Sequence, residues 1–243
     1  MNALGLLTRF GLTKPPTGGG GGGEGPPEAL DVTGSSNNFT SPWSVAFPAL
    51  STGDLAVAVI GWDDSFDRPT VAPPSGPNGE SFVSIAGPVV SPFTEVRLQA
   101  WYAIATGAWS AGNLDFTPSG PEGFVATTFR VAAGAFDAST PIGATGTDES
   151  ADATSGSVAL PAFTAGGTDG GGLLVWGAAV DTDPLLTLSA GYTELRKEDV
   201  GDVASGVAVR NSLVTNSESL SGGTWGIDRD SWASLAFIIR PPA

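Results

Sequence analysis

The sequence predicts an all-β protein: a jelly-roll-like antiparallel β-sandwich preceded by an extended N-terminal arm. Three observations predict it. Helix signals are almost absent after residue 30. Thirty-five glycines and nineteen prolines, with many Ser and Thr, cut the chain into short segments rich in Val, Phe, Trp, Thr and Ala. That pattern belongs to strands joined by turns. Alternation is explicit in places: Val96, Leu98, Ala100 and Tyr102 fall on one side, Arg97, Gln99 and Trp101 on the other.

Residues 1–16 read as a docking arm, 17–30 as a Gly/Pro-rich hinge, and 31–243 as the sandwich, built from two similar halves at about 31–143 and 157–243. The arm carries Leu4, Leu6, Leu7, Phe10 and Leu12 around Arg9, too few residues to bury their own apolar side chains. Ala3, Leu6, Leu7 and Phe10 fall at helical spacing, although Gly5 and Gly11 weaken an isolated helix. The expectation is a peptide that docks on another protein, as a short helix or an added strand; the plain alternative is an unstructured terminus. Gly18, Gly19, Gly20, Gly21, Gly22 and Gly23 make the hinge, whose eleven residues 17–27 span roughly 17–20 Å as a coil. The alternative reading, a phosphate-cradling loop, is disfavoured because no Gly-Lys-Ser/Thr follows and no helix opens behind it.

Strands are expected at 38–47, 55–61, 82–90, 96–105, 113–117, 124–131, 156–161, 173–180, 192–197, 206–213, 218–225 and 233–240. Residues 124–131 and 232–239 read as deeply buried. Twelve candidates exceed an eight-stranded jelly roll, so some are expected to be hairpin extensions or loops. An internal echo supports two halves. Residues 53–64 and 171–184 each run from a Gly turn through an apolar strand to an acidic loop. Residues 121–129 and 229–237 each run from an acidic turn into an aromatic-led strand. Residues 144–156, made of Asp, Ser, Thr, Ala and Gly, read as the linker between them.

Composition excludes several functions. Ten Lys+Arg against 25 Asp+Glu give a formal charge of −15, which argues against nucleic acid and anionic membrane surfaces as partners. There is no Cys and no His, so disulfides, thiolate or imidazole metal sites and Ser-His-Asp or Cys-His machinery are removed. A carboxylate pair acting on a glycosidic bond is not removed. The longest apolar run, 55–60, is strand-length, so no membrane insertion is expected. The first residues make a poor signal peptide, since Arg9 interrupts the apolar stretch. No cofactor is implied.

Gly53-Asp54-Leu55-Ala56-Val57, Trp101-Tyr102-Ala103-Ile104-Ala105-Thr106-Gly107, Phe124-Val125-Ala126, Asp137-Ala138-Ser139-Thr140-Pro141-Ile142 and Ile239-Arg240-Pro241 form a set of motifs. Together they are similar to a module of bacteriophage tail-fibre and virion surface proteins. The resemblance covers about residues 31–242. It implies a jelly-roll-like β-sandwich and carries over no catalytic residue. Residues 6–11, with the glycines behind them, resemble the start of small phage virion proteins.

The candidate site residues follow. Leu4, Leu6, Leu7, Arg9, Phe10 and Leu12 would dock the chain on other virion proteins. Trp62, Asp63, Asp64 and Trp109 border Gly, Asp and Ser turns and form a candidate ligand surface, because an exposed Trp beside acids can hold a sugar by stacking and hydrogen bonds; the plain alternative is a half-buried rim aromatic. Trp176 and Trp232 read as core. The acidic groups are Asp63, Asp64 and Asp67; Asp181 and Asp183; Glu198, Asp199 and Asp202; Asp228 and Asp230. Oxygen-only clusters suit calcium, with Asp181 and Asp183 as weak candidates, but EF-hand spacing is lacking and solvated turns use Asp routinely.

The expectation is therefore a non-enzymatic virion structural protein at the virion surface, made in a host cytoplasm and anchored by its arm. The first placement is a tail-fibre or tail-tip adhesin binding a host surface glycan. The alternatives are a capsid decoration protein or head fibre and, third, a glycan-acting enzyme. A homo-oligomer is expected, with a trimer suggested by virion symmetry and not by residues.

Overall fold

The computed structural model describes residues 25–63, 70–91, 96–119, 122–150, 156–181, 185, 187–201, 203–227 and 231–243. The arm and the glycine run lie outside them. Every regular element among the described residues is a β-strand. The first half contains β1 (Leu30–Thr40), β2 (Trp43–Phe47), β3 (Leu55–Asp63), β4 (Val71–Ala72), β5 (Val83–Val90), β6 (Val96–Ile104), β7 (Gly112–Pro118) and β8 (Glu122–Val131). The second contains β9 (Ile142–Ser150), β10 (Ser157–Ala159), β11 (Phe163–Thr164), β12 (Leu173–Asp181), β13 (Tyr192–Asp199), β14 (Val203–Arg210), β15 (Ser219–Leu220), β16 (Thr224–Gly226) and β17 (Trp232–Ile239).

Two five-stranded antiparallel sheets, β1-β8-β3-β6-β5 and β13-β14-β12-β17-β9, pack face to face. Each is covered on its outer face by small sheets: β2-β7-β4 on the first, β10-β16 and β11-β15 on the second. The jelly-roll winding is present, and it is present twice. In the first half β1 pairs with β8, β8 with β3, β3 with β6, and β2 with β7. In the second, β9 pairs with β17, β17 with β12, β12 with β14, β10 with β16 and β11 with β15.

The likeness extends to irregularities. β5 and β13 each slip register against their inner neighbour at one equivalent place, between Ser84 and Ala86 and between Glu194 and Arg196. Gly53 (φ 88°) and Gly171 (φ 84°) each turn the chain into a central strand in a conformation that favours glycine. Across the interface Gly61 lies at Ala179 and Gly177 at Val59, so β3 and β12 run in the same direction. β5 lies against β9, and β1 against β13. These are the relations of an approximate two-fold axis along the strands, between β3 and β12. The halves meet as the partners of an isologous dimer do.

This layering explains why the central strands are continuous apolar runs. Leu55, Val57 and Val59 enter the core between the two large sheets, while Ala56, Ala58, Ile60 and Trp62 enter the core under the outer sheet. In β12, Leu173, Val175 and Ala179 face inward, and Leu174, Trp176, Ala178 and Val180 face outward. Both faces are covered, so alternation of polarity disappears. The edge strands are polar, charged or irregular, which blunts sheet-to-sheet pairing.

Edge position also accounts for the largest departures from the expected strands. Residues 144–150, read as the start of a linker, belong to β9, and residues 30–37, read as the end of the hinge and a stretch without a strand, belong to β1. An edge strand with exposed faces needs no apolar alternation, so its Gly, Ser, Thr and Asp content resembles a loop. The segment expected at 38–47 divides into the end of β1 and β2, and that at 218–225 into β15 and β16.

Candidate functional site

The strand directions give the sandwich two different ends. β3 and β12 finish with Asp63 and Asp181, β8 and β17 begin at Glu122 and Trp232, and β6 and β14 begin at Val96 and Val203. These termini lie together, because Trp62 pairs with Phe124 and Arg97, and Val180 with Trp232 and Ala204. Every connection that carries one of the four acidic groups leaves this same end. The opposite end receives the chain at Gly25–Ala29 and releases it after Ile239, beside Leu173.

Asp63 is buried, and Asp181 is partly buried, its amide donating to the Ser231 carbonyl at 3.2 Å. Asp199 accepts from the Gly201 amide at 2.7 Å, and Glu198 pairs with Arg196 at 2.8 Å. Asp64, Asp67, Asp183, Asp202, Asp228 and Asp230 lie outside the described residues. Among the described residues no group of three or more Asp or Glu could hold a metal.

Trp62 and Trp109 correct the expected ligand surface. Trp62 is fully buried, 5.7 Å from the Trp43 ring, and Trp109 is buried against Phe47 and Phe82. Both border Gly, Asp or Ser in sequence, but the β2-β7-β4 sheet and the neighbouring turns cover them, and that cover comes from distant residues. Neither offers a ring for sugar stacking. Trp176 and Trp232 are core, as expected; the Trp176 indole donates to Ser234 Oγ at 2.8 Å.

The entry end is held by carboxylate clasps. Asp169, fully buried, accepts from the Gly166 amide (2.6 Å), the Ala144 amide (3.1 Å) and Arg240 Nε (2.8 Å). Its counterpart Asp54 accepts from the Ser51 and Ala133 amides, both at 2.9 Å, and from Arg130 Nη1 at 3.2 Å. Glu80 binds the amide and hydroxyl of Thr106 (2.8 Å each) and Trp109 Nε1 (3.1 Å). Glu218 binds the same groups of Thr215, the equivalent residue of the second half, at 2.8 and 3.1 Å, and pairs with Arg210 at 2.6 Å. Thus two carboxylates from unrelated chain positions secure equivalent turns.

Burial alone would raise the Glu80 and Asp169 carboxyls. The donors around each outweigh it and hold both below the usual carboxylate range. The Arg210 guanidinium, against a smaller burial effect, holds Glu218 down to about 2. Groups depressed by folding stabilise the folded state above their unfolded values, near 4, and that contribution is lost as pH falls through the folded values. With no His in the chain, urea midpoints are expected to stay level from pH 8 to pH 6. They should then fall steeply between about pH 4.5 and 2. A midpoint that rose on acidification would contradict the clasps.

The clasps were not anticipated from sequence. The available signal was Ala105-Thr106-Gly107 against Val214-Thr215-Asn216, each pair of apolar residue and Thr following a buried strand. Comparison of the chain with family models, curated proteins and solved structures finds no match.

Proposed function

We propose that this chain is a non-enzymatic structural component of a bacteriophage particle, anchored through its leader and presenting the sandwich outward. The preferred placement is a tail-fibre or tail-tip adhesin that contacts the host surface. The observation that carries this reading is the two-ended build. The described chain enters at one end, directly after a glycine-rich run in the sequence, and the acid-bearing connections leave the other. A body anchored at its entry end would therefore present those loops farthest from the particle. The doubled, four-layer core supports the same reading, since it makes a stiff spacer. The net charge of −15 suits a displayed, non-aggregating surface.

Deletion of residues 1–12 is expected to leave the sandwich folded while its occupancy on purified particles drops to background. Full occupancy of the truncated chain would overturn the anchor. Purified protein should compete with particles for adsorption to host cells. Failure to compete, together with capsids that become fragile when the protein is missing, would move the assignment to capsid decoration. Turnover of a polysaccharide, abolished by amide replacements in the acidic loops, would replace the structural reading with an enzymatic one.

A further inference from the structure

The internal two-fold exposes a difference between the two chain entries. At the second entry, Ile142 pairs with Ile239 where β9 begins, and it packs against the main core. Six residues earlier Phe136, 2% exposed, is part of that core. At the first entry the residue equivalent to Ile142 is Ala29, which also packs against the main core. Six residues before Ala29 stands Gly23, the last of the six glycines. Among the described residues that lead into Ala29, Gly25 to Glu28, none is aromatic, so no counterpart of Phe136 is seen at the first entry.

A groove of about 630 Å³ opens at that place, between Gly25–Ala29 and the β13–β14 hairpin. Its apolar wall is Leu173, Leu195, Val209 and Leu213. Three of these belong to the main core or pack on it, and Leu213 is 40% exposed, one of three large apolar residues so exposed among the described residues. Arg210 also borders the groove, but its guanidinium is occupied by Glu218 and by the Ser212 and Leu213 carbonyls.

We propose that the groove is a docking slot for this chain's own leader, with Leu4, Leu6, Leu7, Phe10 and Leu12 supplying the counterpart of Phe136. The rim of the groove is the segment onto which the leader is joined. The twelve residues 13–24 can extend to roughly 40 Å, so reach is no obstacle. A tether of that length gives the leader a local concentration in the millimolar range, above that of any second copy in dilute solution. The inference concerns the free protein and is independent of the particle assignment; a particle partner would have to draw the leader out.

The chain has no cysteine, so Asn2→Cys places a single nitroxide beside the apolar stretch of the full-length protein. Amide signals of Thr193, Leu195, Val209 and Leu213 are expected to weaken severalfold, and those of the loop-bearing end to keep full intensity. Phe10→Asp and, separately, Leu213→Asp should restore the weakened signals. Unchanged signals elsewhere would show that each variant remains folded. Uniform weakening, or weakening confined to another surface, would overturn the slot. Weakening that appears only when isotope-labelled chains are mixed with separate nitroxide-bearing chains would overturn the own-chain assignment in favour of a second copy.

Discussion

Asp169→Ala is expected to destabilise the protein by about 3–5 kcal/mol, the range for removing one partner of a buried ion pair. Asp169 is fully buried, and its carboxylate joins three parts of the second half: the Gly166 turn, the amide at the start of β9, and Arg240 after β17. Truncation strips the Gly166 and Ala144 amides of their acceptor and leaves a guanidinium that is only 23% exposed without its partner. The neighbouring chain cannot close over the gap cheaply, because Gly143 is already packed where a Cβ would collide with this carboxylate. Asp54→Ala removes the counterpart clasp and should cost less, about 1–3 kcal/mol for the orphaned amides. There Arg130 keeps a second carboxylate, Asp31, at 2.6 Å. Urea unfolding of both variants tests the pair. A cost below about 1 kcal/mol for Asp169→Ala, or equal costs for the two, would contradict the assigned contacts.

The contrast between these two clasps bears on what could be read in the sequence. Central strands were legible because both faces are buried: residues 55–60 and 173–180 are apolar without interruption, and no other element gives that signal so plainly. The echo between residues 53–64 and 171–184 marks the same two strands, which lie at the internal two-fold. Asp54 is visible in that echo beside Gly53. Its counterpart Asp169 is not, since it stands four residues before Leu173 where Asp54 stands one before Leu55, and only the fold brings the two carboxylates to equivalent tasks.

Edge strands and aromatic burial were illegible for a related reason. β9 is polar because it lies at a sheet edge, hydrogen-bonded to β17 alone and only partly buried along its length. Trp62 and Trp109 are buried by cover that arrives from elsewhere in the chain, β2 and β7 in the case of Trp62. Local composition reports how a segment meets water only when its own neighbours decide the matter. The four acidic groups could each be found by inspection, but their gathering at one end depends on strand direction, a property of the pairing.

Gly61→Val is expected to cost about 3 kcal/mol, because this glycine lies where the two large sheets press together with no room for a side chain. A Cβ at Gly61 would stand 2.9 Å from Ala179 Cβ, from Ser205 Cβ and from Ser205 Oγ. Two of those three atoms are fixed directly to backbone, and Ser205 Oγ is held by the Ala178 carbonyl at 2.9 Å. Neither neighbour can swing aside, so the sheets must separate and the main core loses contact around them. The other glycine at this interface, Gly177, which is the counterpart of Val59, behaves differently. A Cβ at Gly177 meets Val59 Cγ1 at 2.8 Å, with Leu98 and Leu235 beyond 3.5 Å. One methyl has to give there, so Gly177→Ala should cost nearer 1 kcal/mol. Exchange across the axis supplies the sharper test. Gly61→Ala alone should destabilise, and Gly61→Ala combined with Ala179→Gly should recover part of the loss, since the pair restores the gap but leaves Ser205 in place. Such coupling is expected only of residues in contact. If the double variant were no more stable than Gly61→Ala, the two sheets would not meet at this point, and the same-direction stacking of β3 on β12 that places all the acidic loops at one end would fail with it.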